Sequence, residues 1–275
     1  MPQKWRRKSN FETLGTYHHT ELNNYELQIT NYELPFTNYM RRKEYFEFKQ
    51  FTVHQEHAAM KVGTDGALLG SLAATGKRIL DIGTGTGLLS LMMAQRCPEA
   101  KITAIDVDDN AIIDAKTNFE ASPFSERITL IQAPFQEFAK QEQEKYDCII
   151  CNPPYFDESL ESKDESRTRA RHTSSLPFWD LVSGAYELLE DEGVFSVCIP
   201  PEVLSKFSAE CLIKGFCLMT AYKVKSVPRK QEPKRYILVY KKGRIVEPQE
   251  YTFCMQNPDG TRSEWYQEIM KDFYL

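Results

Sequence analysis

The sequence predicts an α/β protein built on a doubly wound, mostly parallel β-sheet. Residues 78–82 have the apolar pattern of a buried strand, a glycine-rich loop follows, and helical spacing begins at Leu88. Strand and helix patterns then alternate along the chain, which is typical of parallel sheets with helices on both faces. The strand patterns at 216–227 and 235–241 have no helix between them, so we expect them to close the sheet as an antiparallel hairpin.

The other elements follow from local patterns. Residues 46–55 alternate between apolar and polar, which predicts a strand. Residues 146–151 are almost entirely apolar, as expected of a strand buried on both faces. Gly215 is placed to end a helix over 201–214. The remaining predicted elements are strands at 101–106, 127–132 and 193–199, helices within 59–70 and at 109–120, 176–189 and 263–273, and an extended piece at 251–255.

The glycine loop carries a functional signal. Gly83, Gly85 and Gly87 alternate between a strand and a helix, where the backbone can turn sharply and lie against a nucleotide at the positive end of the helix. The dinucleotide fingerprint needs its third glycine or alanine one position later, where Leu88 stands, so NAD is disfavoured. The alternative is a tight turn that binds nothing.

Two carboxylates favour the nucleotide. Asp81 leads the loop, and Asp106 ends the next predicted strand. An acid at the second place is positioned to accept hydrogen bonds from both hydroxyls of a ribose.

Composition narrows the function classes. The chain of 275 residues can bury a full core, and no apolar run approaches the roughly 20 residues that cross a bilayer. The first residues lack the pattern of a secretory signal, so we expect a cytoplasmic protein. The net charge of -5 argues against indiscriminate coating of nucleic acid, although the basic run 223–244 fits an RNA-binding face and a solvated loop equally well.

The cysteines predict neither disulfides nor a metal site. Seven is an odd number, and most lie in apolar surroundings where a thiol packs as a small hydrophobe. Cys148 and Cys151 form a Cys-x-x-Cys without a second pair, which favours a buried strand over zinc or redox chemistry.

The tetrapeptide Asn152-Pro153-Pro154-Tyr155 is the candidate catalytic motif. It follows a predicted buried strand, where a doubly wound sheet places its ligand crevice. If a planar amine donates to the Asn152 side-chain oxygen and to the Pro153 carbonyl, its lone pair is directed at an electrophile. Tyr155 can stack on the ring that carries the amine. The alternative is an ordinary Pro-Pro turn.

Together, these motifs resemble those of class I S-adenosylmethionine-dependent methyltransferases that act on nitrogen conjugated to a π system. The stretches 48–55, 60–70 and 169–173 are further similar to bacterial tRNA(Val) adenine N6-methyltransferases, and the resemblance extends over residues 44–275. It implies a Rossmann-like sheet of seven strands and methylation of the adenosine at tRNA position 37, beside the anticodon. It also implies a monomer that needs no metal and has no membrane contact.

The resemblance assigns roles to three groups of residues. The catalytic group is the tetrapeptide. The S-adenosylmethionine group is Asp81, Gly83, Gly85, Gly87 and Asp106, with Thr64 and Asp65 from a covering segment. The tRNA group is Arg167, Arg169, Arg171, His172 and Lys49. One departure is Pro134, which stands where many such enzymes have an aspartate for the cofactor's adenine amine.

The domain boundaries follow from composition. Residues 24–39 repeat with a period of seven, but Pro35 and the polar Gln28 exclude a coiled coil, and fewer than three copies cannot build a solenoid. We therefore expect 1–39 to be an irregular, disordered extension and the methyltransferase domain to begin at Met40. Within it we expect a covering segment at 40–75, a core at 76–245 and a tail at 246–275.

The sequence also allows two other functions. A glutamine N5-methyltransferase acting on a protein uses the same tetrapeptide, although such enzymes bring an amino-terminal helical domain for which residues 1–45 are too short and irregular. A non-catalytic tRNA-binding module is the other, but a pure binder has no need of the amine acceptors at Asn152.

Overall fold

A single mixed sheet organises the computed structural model, which describes residues 44–154, 176–243, 245 and 247–275. The strands of the sheet lie in the order β10-β8-β9-β7-β6-β3-β4-β5. A separate antiparallel pair, β1-β2, precedes it in the chain. The strands are β1 Tyr45–Glu47, β2 Thr52–His54, β3 Arg78–Ile82, β4 Lys101–Asp106, β5 Ile128–Gln132, β6 Tyr146–Cys151, β7 Leu189–Ile199, β8 Phe216–Lys225, β9 Arg235–Lys242 and β10 Gln249–Cys254.

Helices cover both faces of this sheet. They are α1 Thr64–Leu72, α2 Leu88–Arg96, α3 Asp109–Ala121, α4 Phe135–Gln141, α5 Phe178–Leu188, α6 Pro201–Lys214 and α7 Glu264–Met270. One core cluster takes in residues of α1, α2, α3 and α7, and a second takes in residues of α4, α5 and α6. The doubly wound arrangement predicted from the alternating patterns is confirmed.

The hairpin that closes the sheet is also as predicted. β9 pairs antiparallel with both β7 and β8, while β3, β4, β5, β6 and β7 pair in parallel. The sheet has one strand more than the seven expected, because β10 adds in parallel to the outer edge of β8. Most residues of β10 are exposed, so the sequence shows no buried apolar run there and predicts only an extended piece.

Two other expectations needed correction. Residues 46–55 form a hairpin rather than one strand, because the chain turns between Phe48 and Phe51, whose buried rings stack 4.6 Å apart. Helix α4 was not predicted, since the Pro134 that precedes it hides the start of a short amphipathic stretch.

The residues after α7 return to this hairpin. The Lys49 amide donates to the Phe273 carbonyl at 2.8 Å, and the Tyr274 ring lies 5.8 Å from that of Phe48. Residues far apart in sequence therefore close the core on this side. The predicted disordered extension, 1–39, lies outside the described residues and stays a prediction.

Candidate functional site

The two sequence motifs meet at the point where the strand order reverses. The chain runs outward from β3 through β4 to β5 and then returns to the other side of β3 with β6. Ile82 and Cys151 are paired at the carboxyl ends of these neighbouring strands, so Gly83 and Asn152 follow them side by side. Ligands of doubly wound sheets bind in the crevice at such a reversal.

The three glycines of the loop have two different roles. All have positive φ, at 70° for Gly83, 58° for Gly85 and 83° for Gly87. A Cβ on Gly87 would stand 2.4 Å from the Phe119 ring, so this glycine lets α3 pack against the loop. A Cβ on Gly83 or Gly85 would meet nothing within 4 Å. The open space lies beside these two glycines, which fits a ligand that rests directly on the backbone.

The Asp81 side chain links the glycine loop to the start of helix α2 by hydrogen bonds. Its side chain is fully buried, and Oδ2 accepts from the Thr84 hydroxyl at 2.7 Å and from the Ser90 hydroxyl and amide at 2.7 and 3.1 Å. Burial raises the pKa of Asp81 to about 6, against the lowering effect of these hydrogen bonds. Oδ1 is buried and has no hydrogen-bond partner among the described residues. That unused acceptor fits the cationic methionine end of S-adenosylmethionine.

Asp106 also forms a hydrogen bond with the glycine loop. Its Oδ2 accepts from the Gly85 amide at 2.8 Å, and its Oδ1 accepts from the Asp108 amide at 3.0 Å. Each carboxylate oxygen keeps a second lone pair for a further donor. The predicted ribose contacts are thus compatible with the geometry, and they stay a prediction.

The structure shows a clamp that sequence reasoning missed. Asn118 of α3, fully buried, accepts from the His54 amide at 2.7 Å and donates to the carbonyls of His54 and Thr86, both at 2.8 Å. One turn earlier, Asp114 accepts from the amides of His57 and Ala58 at 3.0 and 2.8 Å. Helix α3 therefore ties residues 54–58 to the glycine loop.

Asp114 also contacts the imidazole of His57. Its Oδ1 lies 2.7 Å from His57 Nδ1, and the hydrogen bonds from Ala58 and His57 lower the pKa of Asp114, outweighing the opposing effect of burial. The sequence does contain a signal for this pair of contacts. Asp114 and Asn118 are four residues apart, so they lie on the same helix face as the buried residues Ala111, Ala115 and Phe119.

The amino-terminal segment reaches the candidate catalytic loop. Asn152 Nδ2 lies 3.9 Å from the sulfur of Met60. Pro153 is buried and Pro154 is exposed. The contact brings residue 60 of the predicted covering segment to the tetrapeptide, and the covering role itself stays a prediction.

Other predicted site residues have partners inside the protein. Asp65 forms an ion pair with Arg235 at 2.6 Å, with both side chains about a quarter exposed. Thr64 and Asp65 line a small cavity together with Leu68 and Val224, among others. The Lys49 ammonium donates to the backbone carbonyl of Lys271. The roles predicted for Thr64, Asp65 and Lys49 therefore stay predictions.

Part of the predicted site lies beyond the described residues. Tyr155 and the proposed tRNA contacts Arg167, Arg169, Arg171 and His172 fall in 155–175, which lie outside the described part of the chain.

The Cys-x-x-Cys pair is described: Cys148 and Cys151 are buried in β6, and burial raises the pKa of both thiols.

Neither a metal cluster nor a membrane helix occurs in the part of the chain that the structure describes. Within 44–154, 176–243, 245 and 247–275, no three His, Cys, Asp or Glu side chains are grouped to hold a metal ion. In the same residues, no helix is both long and apolar enough to span a bilayer.

Comparison with solved structures supports the fold. A crystal structure of a predicted O-methyltransferase from Agrobacterium tumefaciens superposes with a TM-score of 0.60 and 20% identity, over 76% of this chain and 96% of that one. At this identity the likeness shows the fold alone.

Comparison of the sequence goes further. Residues 56–200 match the Methyltransferase small domain family. The chain is 45% identical to a tRNA1(Val) (adenine(37)-N6)-methyltransferase from Phocaeicola vulgatus, over 84% of this chain and 97% of the relative. It is 39% identical to a protein of the same name from Flavobacterium johnsoniae, over 84% and 99%. With relatives of this similarity along nearly their whole length, and with the glycine loop and Asn152 together at one sheet edge, the chain belongs to the tRNA1(Val) (adenine(37)-N6)-methyltransferase family.

Proposed function

We propose that this protein transfers the methyl group of S-adenosylmethionine to N6 of the adenosine at position 37 of tRNA1(Val). Relatives of that name match over 84% of this chain. The observation that carries the proposal is the position of Asn152, which directly follows β6 and stands beside the glycine loop that follows β3. This position would put an amine acceptor beside a nucleotide-binding loop.

The cofactor's place follows from the loop. The part of S-adenosylmethionine that rests on the protein backbone would occupy the open space beside Gly83 and Gly85. Asp106 would accept hydrogen bonds from the ribose hydroxyls of the cofactor. The unused Oδ1 of Asp81 would face its cationic methionine end. When bound, S-adenosylmethionine supplies an electrophilic methyl group on a sulfonium.

Asn152 and Pro153 would orient the target amine. The adenine N6 lone pair is delocalised into the ring, so the amine is a poor nucleophile until both its hydrogens are held. The Asn152 side-chain oxygen and the Pro153 carbonyl would accept them, and the two prolines fix these acceptors beforehand. No strong general base is required, because the proton can leave after transfer.

The substrate assignment can be tested with purified components. Wild-type protein is incubated with labelled S-adenosylmethionine and two tRNA1(Val) transcripts, one unaltered and one with guanosine at position 37. We expect N6-methyladenosine, measured by mass spectrometry, in the first only. Methyl transfer to the second transcript at the same rate, or none to either while a protein glutamine is methylated, would overturn the assignment.

We further infer that the enzyme acts as a monomer in the cytoplasm, where its tRNA substrate is found. Sedimentation at working concentrations tests the first point, and cell fractionation tests the second. A stable dimer, or recovery with membranes, would contradict them.

A further inference from the structure

The turn between β8 and β9 lies at the same edge of the sheet as the crevice. β6 and β7 run in parallel, and β9 runs against β7, with Ile199 paired to Tyr236. The start of β9 and the end of β8 are therefore at the edge where Asn152 follows β6. Since neighbouring strands lie about 4.8 Å apart, the turn begins roughly 10–15 Å from Asn152.

This turn, residues 226–234, is strongly basic and exposed. Arg229, Lys230 and Lys234 are all exposed, and Glu232 is its acidic residue. Among the residues that the structure describes, none of these three cations lies within ion-pair distance of a carboxylate. The neighbouring acid Asp65, by contrast, is already neutralised by Arg235 at 2.6 Å.

The opposite end of the same hairpin has a different charge balance. There the described lysines of β9, and Lys214 at the end of helix α6, stand beside acids that offset their charge. The pairs are Lys241 with Glu192 at 3.4 Å, Lys242 with Asp191 at 4.0 Å and Lys214 with Glu187 at 2.8 Å. Among the described residues of the basic run, Arg229, Lys230 and Lys234 keep their charge uncompensated, and they lie at the sheet edge where Asn152 follows β6.

The turn is also held in shape. The Lys234 amide donates to the Val224 carbonyl at 2.7 Å, and the Lys230 amide donates to the Val227 carbonyl at 3.1 Å. Pro233, within the turn, is buried. A charged segment that is already ordered loses little conformational entropy on binding a partner.

We infer that residues 226–234 bind phosphates of the tRNA backbone next to the nucleotide that enters the crevice. This inference rests on the proposed function, since it names where that substrate is held. Phosphate contacts position a nucleic acid and add affinity without selecting bases. The turn would therefore act on tRNA binding and leave cofactor binding unchanged.

The test compares two double variants that remove the same charge. Arg229→Gln with Lys230→Gln alters the turn. Lys77→Gln with Lys101→Gln alters two exposed lysines at the opposite edge of the sheet, where β3 and β4 begin. For each protein, the dissociation constant of unmodified tRNA1(Val) is measured at several salt concentrations, and that of S-adenosylmethionine at one.

We expect the turn variant to bind tRNA on the order of tenfold more weakly, with a salt slope smaller by about 1.5. The control should match the wild type, and all three proteins should bind S-adenosylmethionine equally, which shows that they are folded. Equal tRNA affinity and slope in all three, or equal losses in both variants, would overturn the inference. Failure of the wild type itself to bind tRNA would instead count against the proposed function.

Discussion

Replacing Gly85 with alanine separates the role of the glycine loop in cofactor binding from its role in folding. Gly85 has a φ of 58°, and a Cβ there would meet nothing within 4 Å. The left-handed backbone costs an alanine about 1–2 kcal/mol. In the free protein that strain should be the main loss, which lowers the melting temperature by a few degrees.

Cofactor binding should suffer separately. The methyl group would occupy the space that we assign to S-adenosylmethionine, and forcing an extra carbon into a filled site costs about 1–3 kcal/mol. We therefore expect the dissociation constant to rise by roughly ten- to a hundredfold. Isothermal titration with S-adenosylmethionine or its demethylated product measures this directly.

Two other glycines provide the controls. Gly260 has a φ of 87° and open space around its would-be Cβ, so Gly260→Ala carries similar strain in a turn of the tail. It should lose the same stability and keep full cofactor affinity. Gly87→Ala should instead destabilise the fold by more than about 3 kcal/mol, since its Cβ would overlap the buried Phe119. Equal cofactor affinity in the Gly85 and Gly260 variants would refute our placement of the ligand.

Other perturbations test the remaining parts of the site. Asn152→Ala should keep cofactor affinity and lose roughly a hundredfold or more in turnover, as measured in single-turnover methylation, because one positioned acceptor is worth on the order of 3 kcal/mol; near-normal turnover would remove the motif from the mechanism. Asn118→Leu breaks three buried hydrogen bonds and should raise amide exchange in residues 54–58 well before the rest of the fold, whereas uniform exchange would contradict the clamp. Because the folded state raises the pKa of Asp81 from 3.8 to about 6, its contribution to stability is fully present below pH 3.8 and is lost as the pH rises to about 6. Chemical unfolding should therefore show wild type losing on the order of 3 kcal/mol relative to Asp81→Asn between pH 4 and 7, and a pH-independent difference would contradict the raised pKa. A chain that begins at Met40 should keep its melting temperature and tRNA affinity, and a marked loss of either would show that the preceding repeat has a function.

The parts of the fold that sequence reasoning recovered have local signals. Helix α6 was predicted to the residue, because Pro201 is favoured in the first helical turn and Gly215 adopts the left-handed conformation, with a φ of 110°, that ends it. Strand β6 was equally clear from its apolar run.

The features that the sequence did not predict depend on contacts between residues that are far apart in the chain. Asn118 contacts a segment 64 residues earlier in the chain, and Asp65 pairs with Arg235, 170 residues later. Nothing local to these residues indicates such partners. The arrangement of β3, the glycine loop and α2 was therefore predictable, because these elements are adjacent in the chain. The contacts that hold the covering segment in place were not predictable, because their partners are distant in the chain.

The packing of the amino-terminal hairpin against residues 271–274 has a consequence for synthesis. Lys49 and its partner Lys271 are separated by 222 residues, so the ribosome makes the second about 10–45 s after the first at 5–20 residues per second. During that interval Phe46 and Phe48 lack the Tyr274 ring that packs on them in the finished fold. The nascent chain therefore carries these aromatic side chains, ahead of its glycine loop, without the ring that covers them until residue 274 has been made.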